Sequence, residues 1–265
     1  MSRIESTFQA LSRSEEKALI AYVMAGDPDL DQTARMVLEM EKAGADLIEL
    51  GVPFSDPVAD GPTIQRASER ALRQGVSLKN ILGLVSTLRP QTQSPLILMT
   101  YCNPVYAFGI DLFFKEAKRA GVDGLIMPDL PLEESKPFSA QARRHHIDLI
   151  FLIAPTTSLD RAGKILKAAT GFVYYVSLTG ITGAALGDKT SVNERIQQLK
   201  KMTHLPIAVG FGVSTPEEAK EMAQVADGVI VGSAFVKIIE TASGDPHYLS
   251  RLTEFASSLK KSIRL

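Results

Sequence analysis

The sequence predicts an α/β fold of the closed-barrel class, eight parallel strands each followed by helix, and three observations predict it. Short apolar runs alternate with amphipathic stretches along all 265 residues. Each run is apolar almost throughout, the pattern of parallel strands covered by helices on the outside. Eight such units give about one β/α unit per 30 residues, the size of that unit, and an eight-fold (TIM) barrel occupies roughly 250 residues. The rival topology, an open doubly wound sheet, needs a glycine fingerprint after its first strand, and the chain has none there.

In order, the predicted strands are 19–24, 47–52, 96–101, 124–127, 149–153, 172–177, 207–210 and 228–231. Helical patterns fill the intervals at 31–43, 63–74, 112–120, 133–144, 159–169, 192–202 and 216–225. Segment 4–17 reads as an additional N-terminal helix with Ile4, Phe8 and Leu11 on one face. A second addition follows strand two at 77–89, opened by Ser77, and another helix follows strand eight from Gly232 onward. With no low-complexity stretch or linker, residues 1–265 read as a single barrel domain.

Three segments repeat a theme: Ala43-Gly-Ala-Asp-Leu-Ile, Ala120-Gly-Val-Asp-Gly-Leu-Ile and Val225-Ala-Asp-Gly-Val-Ile each end a helix and open a strand. Their aspartates, Asp46, Asp123 and Asp227, fall at strand N-termini, the stability face of a barrel, and are assigned structure.

Composition excludes several classes. Hydrophobic residues make up 45% and charged residues 22%, with net charge −1 and no long basic run, so nucleic acid is not an expected partner. A lone cysteine, Cys102, leaves no internal disulfide and fits a reducing compartment. The N-terminus lacks a signal-peptide apolar run. No stretch reaches the roughly 20 apolar residues a membrane span needs. A cytoplasmic protein away from membranes is the expectation.

Reactive groups of such a barrel sit at strand C-termini. No lysine ends a predicted strand, which argues against a Schiff-base aldolase. His145, His146, His204 and His247 fall on helix ends or turns leading away from that face, and no metal-ligand cluster is expected. Acids remain: Glu49, Asp56, Asp60 and Asp129. In Leu47-Ile-Glu-Leu50, alternation puts Ile48 and Leu50 against the helices and Glu49 inside the barrel. A carboxyl buried there has a raised pKa and is either an acid/base or a satisfied core group. Asp60, in Val58-Ala-Asp-Gly-Pro62, reads as catalytic or as ordinary turn chemistry. Asp129, flanked by Pro128 and Pro131, reads as functional or loop-shaping.

Two further features concern binding. Gly210-Phe-Gly-Val-Ser214 follows strand seven, and Gly232-Ser-Ala-Phe235 follows strand eight and opens a helix. Those are the positions where barrels bind phosphate on unhindered backbone N–H groups, with simple turns as the competing reading. Segment 178–190, rich in glycine and threonine, reads as a lid or a long connection.

Read whole, the motifs resemble one family, the α subunit of tryptophan synthase. They are Gly26-Asp-Pro28, Glu49-Leu-Gly-Val-Pro-Phe-Ser-Asp-Pro57, Ala59-Asp-Gly-Pro-Thr-Ile-Gln65, Tyr101-Cys-Asn-Pro104, Gly180-Ile-Thr-Gly183, Gly210-Phe-Gly212 and Gly232-Ser233. The resemblance spans essentially the whole chain. It implies a lyase of tryptophan biosynthesis that cleaves indole-3-glycerol phosphate to indole and glyceraldehyde 3-phosphate. Glu49 would be its acid/base, and Asp60 the carboxylate facing the indole N–H. Tyr22, Met99, Tyr174, Thr182, Gly183, Phe211, Gly212, Gly232 and Ser233 would bind substrate. It implies no cofactor in this chain, and a pyridoxal-phosphate β subunit as partner in an α2β2 heterotetramer. Pro53, Phe54, Asp56, Asn103, Pro104 and Pro131 would form the interface, with Phe54 read either as exposed for docking or as folded back over the pocket. Tyr22 and Met99 stand where phenylalanine and leucine are expected, and Leu178 replaces an arginine of some members. The alternatives are another phosphosugar barrel enzyme, or a catalytically silent partner of the β subunit.

Overall fold

The computed structural model describes residues 1–176, 189–210, 212–241, 245 and 247–264. Eight parallel strands close into a barrel in chain order, with β8 pairing back onto β1. They are β1 (Ala18–Met24), β2 (Leu47–Gly51), β3 (Leu96–Met99), β4 (Gly124–Ile126), β5 (Asp148–Ile153), β6 (Val173–Val176), β7 (Ile207–Gly210) and β8 (Gly228–Val231). Around and between them run α1 (Arg3–Arg13), α2 (Leu30–Lys42), α3 (Pro62–Arg73), α4 (Leu78–Leu88), α5 (Cys102–Phe108) and α6 (Ile110–Ala120). The second half adds α7 (Lys136–His145), α8 (Leu159–Ala168), α9 (Lys189–Lys200), α10 (Pro216–Ala223), α11 (Ser233–Glu240) and α12 (Tyr248–Ser262).

The helices predicted before β1, after β2 and after β8 are present, and the strand order is the expected one. Three local differences have physical causes. The third strand stops at Met99 rather than 101, because Tyr101 takes the N-cap position of α5. Helix α5 itself was not expected; its Pro104 falls in the first turn, where the missing N–H has no helical partner to lose. Helix α1 ends at Arg13 instead of 17, because Glu15 adopts a left-handed conformation (φ 58°) that no helix can continue through.

Strand alternation builds two cores. Ala18, Ile20, Leu47, Ile97, Ile126, Ile150, Tyr174, Ala208 and Ile230 fill the barrel interior, while Leu19, Ile48, Leu50, Leu98 and Leu125 pack outward beneath the helices. Helix α1 completes the inner core from below. Its Ile4 and Phe8 are buried with the interior residues, and the Phe8 ring meets that of Phe172 at 5.7 Å.

The N-terminal face is pinned by a repeated device. Asp46, Asp123 and Asp227 each accept a hydrogen bond from the amide of the preceding odd strand, at Leu19 (2.7 Å), Leu96 (2.9 Å) and Ile207 (2.9 Å). Thr170 does the same toward Leu149 through its hydroxyl at 2.8 Å. Each aspartate also holds a cation: Lys260 on Asp46, Arg3 and Arg89 on Asp123, and Lys200 on Asp227. The structural assignment of these aspartates agrees with this geometry.

Candidate active site

At the opposite face, β2 presents Glu49 inward, flanked by the outward pair Ile48 and Leu50. The glutamate is 1% exposed, and its Oε2 has no hydrogen-bond partner. Burial, with nearby Asp60 as the second cause, pushes its carboxyl up to about 8. An uncharged buried acid avoids the large cost of an unpaired buried carboxylate. The satisfied-core reading therefore fails for this oxygen.

Asp60 lies on the loop between β2 and α3, its backbone held by Asp60 N–H to the Pro57 carbonyl (3.0 Å) and by Gln65 Nε2 to its own carbonyl (2.8 Å). Burial raises its carboxyl to about 6, and a hydrogen bond from the Tyr101 hydroxyl pulls in the other direction. At neutral pH Glu49 is mostly protonated and Asp60 mostly ionised. Two acids with different environments thus hold opposite protonation states in one mouth.

Three tyrosines surround the pair. Tyr101 is nearly buried, accepts the Ala59 N–H at 3.1 Å and hydrogen-bonds Asp60. It was not expected as a site residue. The signal available in the sequence was a phenol at the end of a barrel strand, immediately before Cys-Asn-Pro. Tyr22 and Tyr174 project from β1 and β6. Each hydroxyl occupies room left by a glycine on the neighbouring strand: a Cβ at Gly51 would collide with the Tyr22 hydroxyl, and one at Gly210 with that of Tyr174. Burial, then the charges of Asp60 and Glu49, hold Tyr22 well above the ordinary phenol range. Burial and the same two acids do so for Tyr174. Met99, partly buried, packs against both cores at the end of β3.

The proposed phosphate elements lie at the same end of the barrel. Gly212 follows β7 in a left-handed conformation (φ 85°). Gly232 caps α11 without any side-chain hydrogen bond, and Ser233 is the first residue of that helix. The first amides of a helix have no partner within it and point outward, the arrangement that receives an anion. Thr182, Gly183, Phe211 and Leu178, with the 178–188 part of the expected lid, lie outside the described residues.

The rim differs in part from expectation. Pro53 is buried, and Phe54 is folded back: its ring stacks on Tyr101 at 5.3 Å, and Ser68 Oγ bridges its N–H (2.9 Å) and carbonyl (3.0 Å). The exposed apolar group of that loop is Val58, at 84%. Asp56, Asn103 and Pro131 are exposed and Pro104 half-buried, Asn103 and Pro104 lying within α5 rather than on a loop. Asp129 has the loop-shaping role: its carboxylate accepts the Cys102 N–H at 3.0 and 3.1 Å and so caps α5. Among the described residues no cluster of histidine, cysteine and acids could hold a metal ion, and no helix is long and apolar enough to cross a membrane.

A closed parallel barrel with carboxylic acids at the C-terminal mouth and helix amides beside them defines the class of barrel enzymes that work by acid–base chemistry. Comparison with known proteins narrows the class. The family described as tryptophan synthase alpha chain matches residues 8–264. The tryptophan synthase alpha chain of Geotalea uraniireducens is 50% identical over 264 residues, covering 100% of this chain and 98% of that one. That of Picosynechococcus sp. is 47% identical, covering 99% and 100%. Among solved structures, tryptophan synthase subunit alpha from Legionella pneumophila superposes with a TM-score of 0.92 at 39% identity, covering 99% and 98%. A chain of the aminoacrylate-bound tryptophan synthase from Mycobacterium tuberculosis gives 0.89 at 35% identity, covering 100% of both. The chain belongs to the tryptophan synthase alpha chain family, whose reaction is the lyase cleavage of indole-3-glycerol phosphate in tryptophan biosynthesis.

Proposed function

We propose that this chain cleaves indole-3-glycerol phosphate by a retro-aldol reaction in which Glu49 moves the protons and Asp60 carries the balancing charge. The observation that carries this reading is the buried Glu49 carboxyl with an unpartnered oxygen beside Asp60, whose carboxyl burial raises less, to about 6 against about 8. Protonated Glu49 delivers its proton to the indole carbon at the scissile bond. The resulting carboxylate then takes the proton of the glycerol hydroxyl next to that bond. As the bond breaks, its electrons return to the indole ring, the hydroxyl carbon becomes the aldehyde of glyceraldehyde 3-phosphate, and Glu49 ends protonated as it began. Ionised Asp60 accepts the indole N–H and offsets the positive charge that builds on the ring in between, an electrostatic effect strongest in a water-poor site. Tyr174 stands beside Glu49, Met99 borders the indole, and Gly212, Gly232 and Ser233 bind the phosphate; the family resemblance assigns Phe211 to the indole and Gly183 to the phosphate.

The partner is a β subunit, and we assign to it the pyridoxal phosphate and the onward use of indole, in an α–β–β–α assembly with no cofactor bound to this chain. Asp56, Val58, Asn103, Pro104 and Pro131 form the face presented to it, and cytoplasmic synthesis of tryptophan is the setting. The test is indole release from indole-3-glycerol phosphate by the purified chain. Glu49→Gln lowers it about 10²–10⁴-fold. Asp60→Asn lowers kcat by about 10²-fold or more with KM little changed. A wild-type chain that released no indole, with or without a β subunit, would refute the reading.

A further inference from the structure

Tyr22 occupies a position that connects the two halves of the site. The base of its ring lies against Gly232: a Cβ built there would sit 3.5 Å from Tyr22 Cβ and Cδ1. The far end of the ring, carrying the hydroxyl, reaches the space over Gly51 on β2, two residues from Glu49. In the barrel register Tyr22 is the direct neighbour of Glu49. The ring therefore runs from the helix end that receives the phosphate to the strand that carries the acid. The three-carbon polyol of the substrate has to span that same interval.

A phenylalanine would fill the ring volume equally well, so the hydroxyl is what requires explanation. No hydrogen bond among the described residues engages it, although Tyr22 as a whole is only 6% exposed. Burial, and then the neighbouring carboxyls Asp60 and Glu49, oppose its ionisation, so it remains a donor. A hydroxyl in the mouth of the barrel with no protein acceptor among the described residues is free to meet an oxygen supplied by the substrate.

We infer that the Tyr22 hydroxyl donates a hydrogen bond to an oxygen of the substrate's polyol segment and so selects hydroxylated three-carbon phosphates over deoxy ones. This rests on the retro-aldol reading only for where the polyol lies. Tyr22 is then a specificity-determining residue, holding the hydroxyl-bearing carbons in line with Glu49.

The experiment compares wild type with Tyr22→Phe, which keeps the ring and its packing. Calorimetry measures binding of glycerol 3-phosphate and of n-propyl phosphate, which differ in the hydroxyls alone. Wild type prefers glycerol 3-phosphate. In Tyr22→Phe that preference shrinks by about 3- to 10-fold, the range for one hydrogen bond, through weaker glycerol 3-phosphate binding with n-propyl phosphate unchanged. The kcat/KM for indole release falls by a similar factor, and the thermal midpoint does not. An unchanged preference overturns the inference, as does equal weakening of both ligands or failure of wild type to bind either. The binding ratio needs no turnover, so a chain inactive toward indole-3-glycerol phosphate would defeat the reaction reading while the ratio still judged Tyr22.

Discussion

The Tyr101 hydroxyl hydrogen-bonds the Asp60 carboxylate while accepting the N–H of Ala59, the residue just before it. One phenol thus fixes both the backbone and the side chain of the loop that brings the second acid into the site. Tyr101 is in turn fixed by its place as the N-cap of α5 and by the Phe54 ring stacked on it. Tyr101→Phe keeps the stack and removes the hydroxyl. Because that hydrogen bond lowers the Asp60 pKa from where burial alone would put it, the variant moves the acid limb of the kcat/KM profile to higher pH and lowers the maximum about 3- to 10-fold. An acid limb that stays in place in the variant counts against the coupling.

The proposed mechanism requires Asp60 ionised and Glu49 protonated. The kcat/KM profile is therefore bell-shaped, rising through about 6 and falling through about 8. Coupling between the acids makes the two limbs properties of the pair. A plateau extending to pH 10 would exclude Glu49 as the proton donor.

Glu49 also imposes a pH dependence on stability. Its carboxyl titrates near 4.5 in an unfolded chain and near 8 when folded. Between those values the native state holds a proton that the unfolded state has released. Its stabilising share is complete below about 4.5 and is lost as pH rises through about 8. Glu49→Gln removes this slope, so the variant melts later than wild type at pH 9 by about 5 °C and gains less at pH 5. Differential scanning calorimetry at the two pH values decides it; equal differences at both would contradict the buried neutral acid.

Arg70 joins three elements at the rim of the site. It binds Asp27 through two nitrogens at 2.8 and 2.7 Å and Glu240 at 3.1 Å, while Arg66 holds Glu240 from the same helix. Helix α3, which follows the Asp60 loop, is thereby tied to the turn after β1 and to α11, whose first residues form the proposed phosphate site. Asp27 is 1% exposed, so Arg70→Met leaves a buried carboxylate alone and destabilises by about 2–4 kcal/mol. Asp27→Asn in the same chain recovers part of that loss. Urea titration of both variants measures it; an additive loss in the double variant would show that the two do not act as a pair.

Adding the cognate β subunit raises indole release by this chain, and Val58→Asp and Asp56→Ala each weaken the response. Val58, at 84% exposed, places an isolated apolar side chain at the tip of the Asp60 loop, where an interface would cover it. Val58→Asp weakens binding about 10-fold, read by calorimetric titration. Unchanged affinity in Val58→Asp would move the docking surface elsewhere.

Glu49 was legible because alternation on a short strand leaves only two faces, and Ile48 and Leu50 claim the outer one. Asp46, Asp123 and Asp227 were legible because a helix stop and a tight entry turn recur in the same order. Thr170, which performs the same task before β6, belongs to no such phrase and could not be read. The short helix α5 was hidden because its seven residues carry too little apolar periodicity and begin around a proline. Phe54 looked exposed because loop aromatics have no periodicity to orient them. Its partners, Ser68 and Tyr101, lie 14 and 47 positions away, a separation that no local pattern reports.

Helix α1 is made before the strands it packs on and cannot be seated until they follow. Ile4 and Phe8 belong to an interior that includes Ile150 and Phe172, and Arg3 pairs with Asp123, 120 positions later. During synthesis the chain must emerge through Asp123, Ile150 and Phe172 before α1 has its full docking site. The contact is long in sequence, so it adds to the slow, late part of folding. Until then Ile4 and Phe8 travel as exposed apolar groups on the nascent chain, and the base of the barrel stands open. Removing α1 would thus spare the mouth that holds Glu49 and Asp60 while leaving a barrel that completes slowly and unfolds from below.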